Sequence, residues 1–289
     1  MRYPFIRQQS TAYPITVLCR VMKVCRSCFY EYLKRYKKSK KDIQQECLES
    51  RIKAIFLASR SSYGSRRISR DLRNEGQEIG RYRARSLMKE LGLVVKSKKR
   101  YIVTTDSNHS YQVAPNLLNR KFDVDQPNLV WASDITYIRT GEGWLYLAIV
   151  MDLYSRQIVG WNMSKTTESI LTCDALRMAF KRRNPGPGLM HHSDRGIQYA
   201  CDRYQELLEK YHLQVSMSRK GNCWDNAPVE RFFRSLKSER LAFQRFTSRQ
   251  SARLEVLDYI TYYNSDRLHS YLGYLSPMDY ERSSLLAVA

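Results

Sequence analysis

Apolar positions along this chain follow two periods, and the change falls near residue 129. Before it the spacing is helical. Pro14 opens ITVLCRVMKV, Arg26-Ser27 leads into CFYEYLKRY, and Ile43, Cys47, Ile52, Ile55 and Phe56 share one face of a helix predicted from about Asp42 to Ser59. The intervening KRYKKSKK, 34–41, reads as a charged, solvated hinge. Ile68 and Leu72 at i, i+4, then Leu87, Met88 and Leu91, predict two more helices with the turn between Gly76 and Gly80. A helix-turn-helix outline thus occurs twice, once around Val24–Ser27 and once around Gly76–Gly80. Residues 94–128 are polar and basic, contain Pro115 and Pro127, and carry no period, as a linker does. From Leu129 the runs are strand-like: WASDITYIR, WLYLAIVMD and QIVGWNMS, with turns at Gly141-Glu142-Gly143 and Leu153–Arg156. TTESILTCDALRMAFKRR then reads as a helix stopped by NPGPG, LMHHSD as a short strand, IQYACDRYQELLEKYH as a helix and LQVSMS as a strand. A last core helix is predicted from about Pro228 to Leu241.

The order β-β-β-α-β-α-β-α is that of a ribonuclease-H-like mixed α/β sheet, here preceded by an all-α helix-turn-helix region. The expected segments are a helical region at 1–60, a helix-turn-helix module at 61–93, a basic linker at 94–128, and a core with a C-terminal helical tail at 129–289.

Charge sharpens the division. The chain carries a net +21, but residues 1–121 hold 28 Lys and Arg against 9 Asp and Glu, and residues 122–289 hold 21 against 19. A cationic front calls for a polyanion, and helix-turn-helix outlines make DNA the fitting one. No run approaches the roughly 18 apolar residues of a membrane span, and MRYPFIRQQS has no signal-peptide character, so a cytoplasmic protein without a membrane partner is expected. Seven scattered cysteines read as reduced thiols. Cys25 and Cys28 form a C-x-x-C, but no histidine precedes His109, so a two-histidine, two-cysteine zinc module cannot be assembled there.

The chemistry rests on three acids. Asp134 sits mid-strand in WASDITYI, Asp194 ends the fourth strand in HHSDRGIQY, and Glu230 lies on the last core helix in NCWDNAPVERFFRSLK, with 35 residues between it and Asp194. The first and fourth strands of such a sheet are neighbours, so the three can meet. Converging carboxylates can hold two divalent cations for in-line phosphoryl transfer. Hard oxygen ligands suit Mg2+, and Mn2+ is not distinguished from it by ligand type. Lys237 follows Glu230 by seven residues, two turns along the same helix face. Asp152, at the end of the second strand, reads as a turn former, and Asp225 and Asn226 read as caps of the last core helix, with a DNA-facing role open for Asn226.

These words and this spacing resemble the DDE transposases and retroviral integrases, and most closely the OrfB product of the insertion-sequence-three family of bacterial transposable elements, over residues 15 to 281. The resemblance implies an integrase-type catalytic core at 129–289 that cleaves DNA at element ends and transfers strands. It implies that Asp134, Asp194 and Glu230 are the catalytic metal ligands and that Lys237 holds a phosphate beside them, with Arg231 and Arg234 as alternatives. His192, of the HSD word, and Asn226 would support the site. Arg66, Arg67, Arg81, Arg83, Arg85 and Lys89 of the second helix-turn-helix, with Arg231 and Arg234, are the expected DNA contacts. The family further implies a homo-oligomer on terminal inverted repeats and target DNA, and an upstream OrfA product as fusion or partner. The tail YYNSDRLHSYLGYLSPMDY, 262–280, either stacks on distorted bases or packs on the sheet. Two other readings share these features: a DNA-binding regulator with an inert core, and a host nuclease of the same fold.

Overall fold

The computed structural model describes residues 2–95, 111 and 113–288, with the backbone alone at 38–42, 223, 285, 287 and 288. They form two compact units, divided between residues 95 and 96. Among the described residues no helix is long and apolar enough to cross a membrane.

In the first unit α1 (Arg2–Gln9), α2 (Ile15–Val21) and α3 (Arg26–Ala58) enclose Ile6, Leu18, Cys19 and Phe29. Tyr3 and Tyr32 stack over this cluster with centroids 5.3 Å apart. The expected hinge at 34–41 is instead continuous helical backbone within α3. Lys and Arg are good helix formers and the stretch has no Gly or Pro, so like-charge repulsion of a few tenths of a kcal/mol per pair does not break it. The opening α1, which the apolar spacing did not announce, tolerates Pro4 because its missing N–H falls in the first turn. α4 (Ser65–Asn74) and α5 (Arg81–Glu90) turn on Gly76 at φ +82°, a conformation glycine adopts freely. Ile68, Leu72, Ile79, Ala84, Leu87 and Met88 are buried there, and α3 packs on both helices through Ile52, Ile55 and Phe56.

The second unit is built on a five-stranded sheet in the order β3-β2-β1-β4-β5. β1 (Val130–Thr140), β2 (Gly143–Asp152) and β3 (Ile158–Ser164) are antiparallel, while β4 (Met190–Ser193) and β5 (Gln214–Met217) add in parallel. α6 (Ser169–Arg183), α7 (Ile197–Ala200) and α8 (Asp202–Lys210) cover one face; α9 (Ala227–Glu239) and α10 (Arg249–Ser265) cover the other, with α11 (Pro277–Val288) against α10. A Cβ on Gly160 would come 2.2 Å from the Ala175 carbonyl oxygen, so β3 and α6 meet backbone to backbone. This is the ribonuclease-H-like arrangement.

Residues 113–128 do not behave as a tether. Leu118 is buried, the Leu117 and Leu118 N–H groups donate to Ser216 Oγ at 3.0 and 3.2 Å, and Arg156 donates to the Phe122 carbonyl at 2.9 Å. Residues 96–110 and 112 of the basic stretch lie outside the described residues. In the tail, Asn264, Arg267, His269 and Leu272 are buried, so packing accounts for them. The Asn264 amide accepts from the Ile158 N–H and donates to its carbonyl, both at 2.9 Å, which satisfies the outer edge of β3. Tyr271 keeps its ring at the surface under Arg156, 4.2 Å from the ring centroid.

Candidate active site

Side chains alternate across β1. Trp131 joins the cluster beneath α6 and α8, whereas Ala132 and Ile138 join the one beneath α9 and α10. Asp134 has the parity of the latter and lies on the α9 side. β4 runs beside β1 with Val130 opposite Met190, Trp131 opposite His191 and Ala132 opposite His192. Two further residues of that register bring Asp194, the first residue past β4, level with Asp134. α9 lays Val229, Phe232, Phe233 and Leu236 onto the sheet, each worth about 1.5–3 kcal/mol of burial, and Glu230 flanks that stripe.

The carboxylates sense one another. Asp134 is half-buried. Burial holds its carboxyl well above the usual range; the charge of Asp194 adds most to that, the Ile135 N–H opposes it, Glu230 adds to it and Lys237 counteracts it. That N–H donates to Asp134 Oδ1 at 2.7 Å. Burial also raises Glu230, against the pull of Arg234. Burial lowers Lys237, against the attraction of Asp134, and its Nζ stands 5.0 Å from the centre of the Tyr137 ring. Asp194 Oδ1 accepts the Gly196 N–H at 2.9 Å, and a Cβ on Gly196 would press to 3.0 Å from that oxygen.

Among the described residues no three His, Cys, Asp or Glu side chains stand as a ready metal cage. Magnesium does not require one, since it binds through one or two carboxylates and retains several waters. The donors at this site are all carboxylate oxygens, and their mutual repulsion, which raises Asp134, is what a divalent cation relieves. The residues fit such an ion.

The expected supports differ in character. His192 is fully buried, with Nδ1 2.9 Å from Ser216 Oγ and Nε2 3.1 Å from Ser218 Oγ, and burial lowers it to about 4. It therefore braces β4 against the end of β5. Asn226 occupies the N-cap position of α9 but makes no side-chain cap; it is buried, which removes it from any DNA-facing surface, and its Nδ2 donates to the Ser133 carbonyl at 3.0 Å. It ties the start of α9 to the residue before Asp134. Asp225 is no cap either. Its carboxylate accepts from Arg219 Nε, Arg219 Nη2, the Arg219 N–H, Arg120 Nε and Asn116 Nδ2, all between 2.7 and 3.0 Å. Those donors, led by Arg219, hold it far below the usual carboxylate range. Its oxygens are covered by half-exposed arginines, so water lies just beyond them. Asp152 accepts the Asn128 and Tyr154 N–H groups at 2.8 and 2.9 Å and pairs with Arg183, a turn-closing role.

Arg231 and Arg234 are exposed on α9. In the first unit Arg66, Arg81, Arg83, Arg85 and Lys89 are exposed, and Arg67 lies 5.2 Å over the Tyr63 ring. Tyr82, Arg85, Ser86 and Lys89, at helical spacing, line an open cleft of about 800 Å³ together with Gly64, Ser65 and Leu93–Val95; Arg81 and Arg83 do not. Sequence reasoning passed over Trp224, which is 69% exposed in the turn leading to Glu230. A lone aromatic among Gly, Asn and Asp belongs to no apolar period, so periodicity could not single it out.

Family profiles match in three places: an HTH-like domain at residues 42–101, an integrase core domain at 124–223, and a second integrase core profile at 230–285. The BIV integrase catalytic core domain aligns with a TM-score of 0.43 and 17% identity over 56% of this chain and 99% of that one. A helix-turn-helix front carried with an integrase core defines a DDE-type transposase or integrase. The transposase InsF of insertion sequence IS3A from Escherichia coli K12 is 40% identical over 99% of this chain and 100% of that protein. An uncharacterized 31 kDa protein of insertion element IS600 from Shigella sonnei is 44% identical over 90% and 96%. The chain belongs to the insertion-sequence-three family of transposases.

Proposed function

We propose that the chain cleaves DNA at the ends of its insertion sequence and joins the freed 3′-hydroxyl to target DNA, with Asp134, Asp194 and Glu230 as ligands for two Mg2+ or Mn2+ ions. The observation that supports this reading is that β1 and β4 run side by side up to Ala132 and His192, two residues before Asp134 and Asp194, and that the charges of Asp194 and of Glu230 on α9 both act on Asp134. Such ions supply Lewis acidity at the attacking and departing oxygens of an in-line displacement.

The chain's own residues do the rest. The Gly196 N–H fixes one oxygen of Asp194 and the Ile135 N–H one of Asp134. Lys237 offers its ammonium to a non-bridging oxygen of the scissile phosphate, and Arg231 and Arg234 meet flanking phosphates along α9. Asn226 and His192 hold α9 and the β4–β5 ends in place. The exposed cations of α4 and α5 grip terminal-repeat DNA, with α5 in the major groove. An element has two ends that must be joined to one target, so two catalytic chains act together; an OrfA-type product, fused or separate, adds end recognition.

The test is a labelled terminal-repeat duplex incubated with target plasmid and Mg2+. Cleavage at the 3′ end followed by covalent joining is expected. Binding without any joining in Mg2+ or Mn2+ would mean a regulator with an inert core, and cutting of arbitrary branched duplexes without joining would mean a nuclease of the same fold.

A further inference from the structure

We infer that Trp224 is a stacking post for an unpaired base beside the scissile phosphate, so that the chain takes its DNA end with the terminal pair opened. The inference rests on the end-joining reading above and names the form of DNA that the site takes.

Three observations carry it. The first is exposure: Trp224 is 69% exposed, although burying an indole is worth about as much as any side chain offers. The second is rigidity. The segment from Arg219 to Asp225 is closed on itself, because both the N–H and the guanidinium of Arg219 bind the buried Asp225 carboxylate, and Arg120 and Asn116 bind it from the other side. Gly221 takes φ +70° to let the chain turn back. Trp224 is the residue just before this anchor, in a 3-10 turn of Cys223–Asn226, so its backbone is held while its ring stands in solvent. The third is place. Asn226 donates to the Ser133 carbonyl, next to Asp134, and two residues of chain reach at most about 7 Å, so the Trp224 Cα stays within that reach of the residue tied to the strand that carries Asp134. Arg219 and Lys220 are exposed in the same loop, so positive charge lies beside the ring.

A held aromatic face flanked by cations is how unpaired bases are bound without sequence preference, since every base has a π-face. A fully paired end offers no such face except at its terminal step. Opening the last pair would free one base for Trp224 and turn the phosphate toward the acids.

The full chain would be compared with Trp224→Ala and Trp224→Phe on two terminal-repeat substrates, one fully paired and one mismatched at its last two pairs. Without divalent cation, wild type should bind the opened end roughly tenfold more tightly than the paired one; Trp224→Ala should bind both alike, and Trp224→Phe should keep most of the preference. With Mg2+, Trp224→Ala should join the paired end roughly tenfold more slowly and recover on the opened end. Equal affinity of wild type for both ends, or a joining defect in Trp224→Ala of the same size on both substrates, overturns the inference. Because the binding arm needs no catalysis, it decides the role of Trp224 even if no joining occurs, an outcome that would count against the end-joining reading instead. A melting temperature of Trp224→Ala equal to that of wild type would exclude misfolding, as expected for an exposed side chain.

Discussion

The two units expose their working groups in opposite ways. On α5 the cations Arg81, Arg83, Arg85 and Lys89 stand in solvent, and only Ala84, Leu87 and Met88 beneath them belong to the fold. In the core, Asp134 and Glu230 are pressed into a crowded site, and the groups around them are hydrogen-bonded to fixed backbone. Gripping a polyanion needs accessible charge and gains from the release of counterions, so loose side chains serve. Holding cations for chemistry needs donors fixed in place, so burial is accepted even though it disfavours the charged carboxylates. Substitutions in the front should therefore change DNA affinity and leave folding alone, whereas the scaffold of the core should couple activity to stability.

The largest expected effect separates the units most cleanly. Asp134→Asn, Asp194→Asn and Glu230→Gln should each lower strand transfer by roughly 10³-fold or more, as when one member of a group that acts together is removed. Terminal-repeat binding by gel shift should stay near wild type, because that belongs to the front. Joining at wild-type rate by any one of them would remove that residue from the site. Next comes salt. Residues 1–95 carry 22 Lys and Arg against 8 Asp and Glu. If about six phosphates are neutralised, affinity should fall about 10³-fold between 50 and 200 mM salt, and a fragment of residues 96–289 should show a much shallower slope. Equal slopes for the two fragments would erase the division of labour.

Much of this division is legible in the residues themselves, for a physical reason. Strand and helix periods come from one-sided burial, so β1 to β3 and α6 could be read from WASDITYIR, WLYLAIVMD, QIVGWNMS and TTESILTCDALRMAFKRR. The neighbourhood of Asp134 and Asp194 follows from fold order alone. Long-range polar pairing leaves no such trace. Nothing in NCWDNAPVE says that Asp225 answers Arg120 across more than a hundred residues, or that Asn226 reaches Ser133 instead of capping its own helix. Arg267 likewise looks like a surface cation until Glu239 is seen to receive it inside the fold. The 34–41 run was read from its charge, when its lack of helix breakers decided the backbone.

Smaller effects sharpen the contrast within each unit. In the core, Gly160→Ala should destabilise by about 1–3 kcal/mol, since the new methyl meets the Ala175 carbonyl and Ala179, and a lowered melting temperature would report it. An unchanged melt would mean that β3 and α6 can part without cost. On the front, Arg85→Ala and Lys89→Ala, on the cleft-lining stripe, should change terminal-repeat binding more than Arg83→Ala does. A base-reading arginine is worth about 1–3 kcal/mol of discrimination, whereas a phosphate contact weakens specific and random DNA alike. Melting temperatures of all three should match wild type. If none of them alters the preference for terminal repeats, α5 is not the reader.

The smallest effect is a slope. His191 is fully buried, with Nε2 2.9 Å from Ser133 Oγ and 3.0 Å from the Tyr204 hydroxyl, and burial lowers it from 6.5 to about 3. A lowered histidine is neutral in the fold while the unfolded chain takes up its proton. The stability it preserves is complete above pH 6.5 and is lost as pH falls toward 3, at about 1.4 kcal/mol per pH unit. His192, lowered to about 4, adds a second such loss over the upper part of that window. Residues 1–95 contain no histidine, so the front has nothing comparable to titrate there. Urea unfolding of the full chain, followed by tryptophan fluorescence, should thus show core stability falling from pH 6.5 to 4, since all four tryptophans lie between residues 131 and 224. His191→Asn keeps a polar group for Ser133 and Tyr204 but cannot take the proton, so its slope should be shallower than that of wild type by up to about 1.4 kcal/mol per pH unit. Carboxylate titrations are common to both proteins and cancel in the difference. Parallel slopes for His191→Asn and wild type would mean that the proton reaches His191 in the folded core, and that the interior beside the carboxylates is wetter than its packing implies.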